Sequence, residues 1–167
     1  MSGTEDRARR VLALLAVARR TVAVAESCTG GGLGAALTAI PGSSEAFVGG
    51  AIAYSDAMKR RLLGVDPATL SRHGAVSGDA AVAMAVGVRA LTGADWGVAV
   101  TGIAGPGGGS PGKPVGTVWG AVAGPDGSPP AVRWRFDGDR AAVRAASVDA
   151  ALDLLADRLD PGAEPDA

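Results

Sequence analysis

Apolar residues change their spacing repeatedly along this 167-residue chain, and the changes predict its elements. The segment RARRVLALLAVA at 7–18 sets apolar positions among arginines, which predicts an amphipathic first helix over 4–19 with Thr4 as its cap. A short run, VAVA, follows at once and predicts a strand over 21–25. The same reading gives a helix over 30–38, a buried strand over 46–54, a helix over 55–63, a helical turn at 67–72, and a helix over 78–92 opened by Ser77. Strands over 95–100, 115–123 and 131–136 and a helix over 139–157 complete the pattern. Strands interleaved with helices imply an α/β fold, and the last two strands, parted by the turn PDGSP, imply a hairpin. The expected architecture is one domain over 1–157, a three-layer α/β/α sandwich with a mixed β-sheet. Residues 158–167, Pro-rich and acidic, are expected to form a disordered tail.

Charge and composition narrow the partners. A formal net charge of -1 argues against broad binding to nucleic acid or to acidic membranes. No apolar stretch approaches the roughly 20 residues that cross a bilayer. Glu5 and Asp6 before the first apolar run, and Arg19 and Arg20 after it, favour a helix over a signal peptide. The single cysteine, Cys28, offers no disulfide framework and fits a cytoplasmic, reducing setting. With one histidine, His73, and one cysteine, a zinc site is nearly excluded. No metal or cofactor is expected, and a homo-oligomer is left open.

Candidate chemistry centres on AESCTGG at 25–31. Strand, tight turn and helix in succession place Ser27, Cys28 and Thr29 at a helix N-terminus, where N–H groups and the helix dipole would stabilise an oxyanion. An N-cap serine in a helix that needed one explains the same segment equally well. A Ser-His-Asp triad would require His73, which reads as a turn or capping residue within SRHG. Lysine is the other available base. The chain has only Lys59 and Lys113, and Lys59 lies in the first turns of a helix beside Tyr54. A solvated lysine next to Arg60 and Arg61 is its plainer reading. Between Thr101 and Pro114 the loop TGIAGPGGGSPGKP carries six glycines, which let backbone approach a phosphate or an oxyanion, and Lys113 reads as a residue that holds this loop or a neighbouring chain. Arg140 and Arg144, four apart at the start of the last helix, could hold a phosphate or pair with Asp137, Asp139 and Asp149.

Six segments together carry a resemblance: AESCTGG at 25–31, YSDAMK at 54–59, HGAVS at 73–77, VTGIAGPGGG at 100–109, KPVGTV at 113–118 and GDRAAVR at 138–144. Over about residues 8–157 the chain resembles the CinA C-terminal domain family, whose characterised members are nicotinamide-nucleotide amidohydrolases. The resemblance implies a Ser/Lys hydrolase that deamidates nicotinamide mononucleotide to nicotinic acid mononucleotide and ammonia. It implies Ser27 as nucleophile and Lys59 as base, with Tyr54 and Thr101 in support, and a pyridine nucleotide held by Cys28, Thr29, Gly30, Gly31, Gly102, Arg140 and Arg144. Asp56 departs from the Asn expected after the Tyr-Ser pair, and it adds a charge near Lys59. Activity housed in the separate N-terminal domain of longer CinA proteins is expected to be absent. Cys28 as nucleophile is the competing enzyme reading, and a non-catalytic nucleotide-binding or regulatory module is the competing class.

Overall fold

The computed structural model describes residues 3–162. Helix α1 (Thr4–Ala18) leads into β1 (Val22–Glu26), α2 (Gly32–Thr38), a 3-10 turn at Ser43–Glu45, and β2 (Phe47–Ile52). Then come α3 (Asp56–Leu63), α4 (Pro67–His73), α5 (Gly78–Thr92), β3 (Trp96–Gly102), β4 (Thr117–Ala123), β5 (Val132–Arg135) and α6 (Arg140–Leu159). The strands form one sheet in the order β2-β1-β3-β4-β5. β1 is parallel to both neighbours, whereas β4 is antiparallel to β3 and to β5. The expected mixed-sheet α/β/α sandwich is therefore the fold.

Strand alternation assigns the layers. Val22, Val24, Val98, Val100, Val118 and Val122 face α1, α2 and α6 and pack with Leu15, Leu33, Leu37, Leu152 and Leu155. Ala23, Ala25, Ala99, Ala121 and Ala123 face the other way, toward Met84 and Val88 of α5. Small residues on that face let α5 lie close to the sheet and to α3. A Cβ on Gly97 would stand 2.3 Å from the Ala85 carbonyl oxygen, and one on Gly87 only 1.9 Å from the Leu63 carbonyl oxygen. Gly87→Ala is thus expected to force α3 and α5 apart and to cost about 1–3 kcal/mol, read as a lower urea midpoint. An unchanged midpoint would mean that the crossing has room to spare.

Several expectations are corrected. Residues 46–54 do not form a buried strand: β2 is the sheet edge, ends at Ile52, and leaves Val48 and Ile52 exposed. Its apolar run resembles a core strand, but the register shifts opposite Val22/Ala23, and Gly49 takes a φ of 134°. Thr4 does not cap α1; Gly3 holds that position, and the Thr4 hydroxyl donates to Asp149 of α6. α2 begins at Gly32, not at 30, because Gly30 and Gly31 adopt positive φ values of 57° and 99°. Residues 158 and 159 are helical, since α6 continues until Leu159 packs against the core; residues 163–167 of the expected tail lie outside the described residues.

Topology also locates the crevice. From β1 the chain reaches β2 through α2 on one face, then returns over the other face through α3, α4 and α5 to β3. The carboxyl ends of β1 and β3 therefore open where the connections part, the usual place for a ligand in an open α/β sheet.

Candidate active site

Ser27 follows the last residue of β1 and is fixed by backbone on both sides. Its N–H donates to the Val100 carbonyl of β3 at 3.0 Å, and the Ala53 N–H beyond β2 donates to the Glu26 carbonyl at 2.8 Å. The turn closes with Gly30 N–H on the Ser27 carbonyl at 3.1 Å and Gly32 N–H on the Thr29 carbonyl at 3.0 Å. Left-handed Gly30 and Gly31 make so tight a reversal possible.

Sequence reasoning missed Glu26. Its buried carboxylate accepts from the N–H groups of Gly31 at 3.1 Å, Leu33 at 3.0 Å and Gly34 at 2.8 Å. It therefore caps α2 and takes the donors that a helix N-terminus would otherwise offer to a substrate. The N–H groups of Gly30 and Gly31, two residues expected to hold the nucleotide, thus already have acceptors within the turn. From Ser27 to Gly34, only Cys28 and Thr29 have N–H groups with no acceptor on another described residue. A glutamate at the end of an apolar strand and before a Gly-rich turn was the available signal, because a charge in that position needs buried donors.

Lys59 reaches the same point from α3. Ser55 caps that helix by accepting from the Met58 N–H at 3.2 Å, and the first turn carries Lys59 inward to 1 % exposure. Its Nζ lies 3.1 Å from Ser27 Oγ, 3.0 Å from the Ala53 carbonyl and 3.3 Å from the Tyr54 carbonyl. Burial holds the Lys59 pKa below its ordinary value, against an opposing pull from Asp56. Burial also pushes the Cys28 thiol up to about 11, so it is a poor nucleophile near neutral pH.

Ser27, Cys28, Tyr54, Lys59, Thr101, Gly102 and Arg140 line one cavity of about 210 Å³, together with Ala75, Val76 and Ala104. A wider hollow of about 470 Å³ between α5 and residues 124–128 holds no nucleophile beside a base. Within the site, Tyr54 approaches Lys59 through its carbonyl, not its ring. The ring is 60 % exposed, and its hydroxyl accepts from Arg140 at 3.0 Å. Arg140 also donates to the Gly105 carbonyl at 2.8 Å. The Thr101 hydroxyl donates to the Ala75 carbonyl at 2.8 Å and thereby fixes the cavity wall.

Other sequence candidates lie outside this cavity. His73 ends α4, as a turn residue should, with Nδ1 3.5 Å from Asp79. Lys113 donates to the His73 carbonyl at 2.6 Å and so ties down the Gly-rich loop, while Arg133 donates to Gly112 at 3.1 Å. Of the six loop glycines, only Gly102 lines the cavity, and Gly107, Gly108, Gly109 and Gly112 are exposed. Arg144 donates to the Cys28 and Thr29 carbonyls at 3.1 and 3.0 Å. The alternative pairing of the arginines with Asp137, Asp139 and Asp149 is not formed among the described residues: Asp139 caps α6 through Ala142, and Asp149 receives Arg7 and Thr4.

Fold and site together define an open α/β sandwich with a buried serine and lysine in contact at the carboxyl edge of its sheet. The chain belongs to the CinA family, for the family's C-terminal domain model matches residues 4–159. A CinA-like protein of Parasynechococcus marenigrum is 59% identical over 152 residues, which are 89% of this chain and 36% of that protein. The chain thus spans about a third of the length of such relatives. Among solved structures, a competence damage-inducible protein A from Klebsiella pneumoniae matches with a TM-score of 0.92 and 38% identity, over 97% of this chain and 100% of that one. A competence/damage inducible protein from Agrobacterium tumefaciens matches with a TM-score of 0.86 and 41% identity, over 93% and 94%.

Proposed function

We propose that this chain is an amidohydrolase that converts nicotinamide mononucleotide to nicotinic acid mononucleotide and ammonia through a Ser/Lys acyl-enzyme. The observation that carries this reading is the contact between the buried Lys59 amine and the Ser27 hydroxyl at 3.1 Å. As a neutral amine, Lys59 has two N–H groups for the Ala53 and Tyr54 carbonyls and a lone pair left for the Ser27 proton. Ser27 Oγ attacks the carboxamide carbon while Lys59 takes its proton. The Cys28 and Thr29 N–H groups receive the developing oxyanion, and the Lys59 ammonium then protonates the departing nitrogen as ammonia. Water attacks the acyl ester through the same lysine, which frees the carboxylate product and restores Ser27.

Family membership supplies the mononucleotide as the substrate to test. A cavity of about 210 Å³ suits the carboxamide-bearing ring, with the ribose phosphate directed to the rim where Arg140 stands. Arg140 is exposed and lines the cavity, whereas Arg144 is half-buried and does not, so the phosphate role falls to Arg140. Arg140→Ala is expected to lower kcat/KM for the mononucleotide roughly tenfold or more, the worth of a charge-assisted pair of about 1.5–3 kcal/mol, and to leave the poorer riboside nearly unchanged. Equal losses on both would make Arg140 a tether for Tyr54 and Gly105 alone.

The deciding experiment measures ammonia release across pyridine mononucleotides, dinucleotides and ribosides. Turnover led by nicotinamide mononucleotide is the expected result. Tight nucleotide binding with no ammonia would instead favour a regulatory module.

A further inference from the structure

Arg144 stands one helical turn beyond Arg140, yet the two guanidinium groups do different things. Arg140 is exposed and lines the cavity; Arg144 is half-buried and is not part of the cavity wall. Its Nε and Nη2 grip two successive carbonyls, Cys28 at 3.1 Å and Thr29 at 3.0 Å. We infer that Arg144 is a positioning residue that aims the oxyanion-binding N–H groups of Cys28 and Thr29, an inference that rests on the acyl-transfer reading above.

Peptide planarity carries the argument. In a trans peptide the C=O and the N–H point in opposite directions. The Thr29 N–H shares its peptide with the Cys28 carbonyl, so a guanidinium that holds this carbonyl turns the Thr29 N–H away from itself. The Cys28 N–H shares its peptide with the Ser27 carbonyl, which is fixed by Gly30 N–H at 3.1 Å. Cys28 lines the cavity and Arg144 does not, so Arg144 pulls on the turn from behind.

Two further observations support this. The Thr29 hydroxyl is buried without a hydrogen-bond partner among the described residues, so the turn is not held by its own side chain. No carboxylate of the described residues forms an ion pair with Arg144. Its charge therefore acts on the Cys28 and Thr29 carbonyls, whose peptides carry the N–H groups of Thr29 and Gly30; it polarises the first as a donor directly, and reaches the Cys28 N–H through the Gly30 N–H on the Ser27 carbonyl.

The test compares wild type with Arg144→Ala and Arg144→Lys, after circular dichroism confirms folding. Two rates are read: covalent labelling of Ser27 by a fluorophosphonate, which needs oxyanion stabilisation but no pyridine, and turnover of nicotinamide mononucleotide and its riboside. Arg144→Ala is expected to slow labelling and kcat by about ten- to a hundredfold, equally on both substrates, with KM within about twofold. Millimolar methylguanidinium should restore much of the rate, and Arg144→Lys, with one grip in place of two, should fall between. If the alanine variant does not fold, the lysine variant decides alone by the same readouts. A KM increase confined to the phosphorylated substrate would make Arg144 a phosphate ligand and overturn the inference. Unchanged labelling would overturn it as well, as would a rate loss that only tracks loss of folded protein and resists rescue. Should wild-type Ser27 be labelled yet nicotinamide mononucleotide be left intact, the substrate reading fails while the labelling series still decides the role of Arg144. Should wild type neither label nor turn over, both fall.

Discussion

Replacing Lys59 by methionine or arginine is expected to remove nearly all amide hydrolysis. A lysine with an ordinary pKa near 10.4 is neutral at pH 7 only at a cost of about 4.6 kcal/mol, so an efficient base must be easier to deprotonate. The site meets that need by burial: Lys59 is 1 % exposed, and its pKa is lowered by desolvation against the opposing charge of Asp56. Arginine keeps the charge but cannot accept the proton. The wild-type rate is therefore expected to rise with pH until Lys59 is neutral, and Asp56→Asn to move that rise to lower pH by removing the group that favours the ammonium. Stability should follow the same titration. Between the depressed pKa of the folded state and the ordinary value, the unfolded chain binds more protons, so Lys59 makes stability increase with pH across that window. The slope should vanish in Lys59→Met. An active Lys59→Arg variant would reduce Lys59 to an electrostatic role, and His73, outside the cavity, would be the next base to mutate.

Ser27→Ala is expected to abolish ammonia release, whereas Cys28→Ala and Cys28→Ser should retain most of it. The two residues are adjacent, but their environments differ. Ser27 Oγ contacts the lysine, while the Cys28 thiol is buried and held up at about pKa 11, with only a minute thiolate fraction at pH 7. Loss of three orders of magnitude or more is the usual consequence of deleting a nucleophile. An equal loss in a folded Cys28→Ala variant would reverse the assignment.

Much of the fold was legible because periodicity reports burial. VAVA at 22–25 sends valines to one layer and alanines to the other, and Ser77 caps α5 as its position implied. Edge and centre were not separable, because the run before Tyr54 is as apolar as a core strand and only sheet order shows it at the margin. In the site, Ser27 and Lys59 are 32 positions apart, and no spacing rule joins them. The scarcity of lysine and the family resemblance singled out the pair. Glu26 was missed, and the partners of Arg144 were not foreseen, for one reason: the sequence displays their charges, but not the backbone N–H and carbonyl groups that fold onto them.

The most direct test of the Ser27 acyl-enzyme is its interception. With nicotinamide mononucleotide as substrate and hydroxylamine added as a competing nucleophile, an ester on Ser27 must partition between water and hydroxylamine. The expected result is a hydroxamate that forms at the expense of nicotinic acid mononucleotide, with ammonia release undiminished, and that is absent in Ser27→Ala. Steady ammonia release with the acid as sole product, whatever the hydroxylamine concentration, would mean that water attacks the amide directly and would contradict the mechanism.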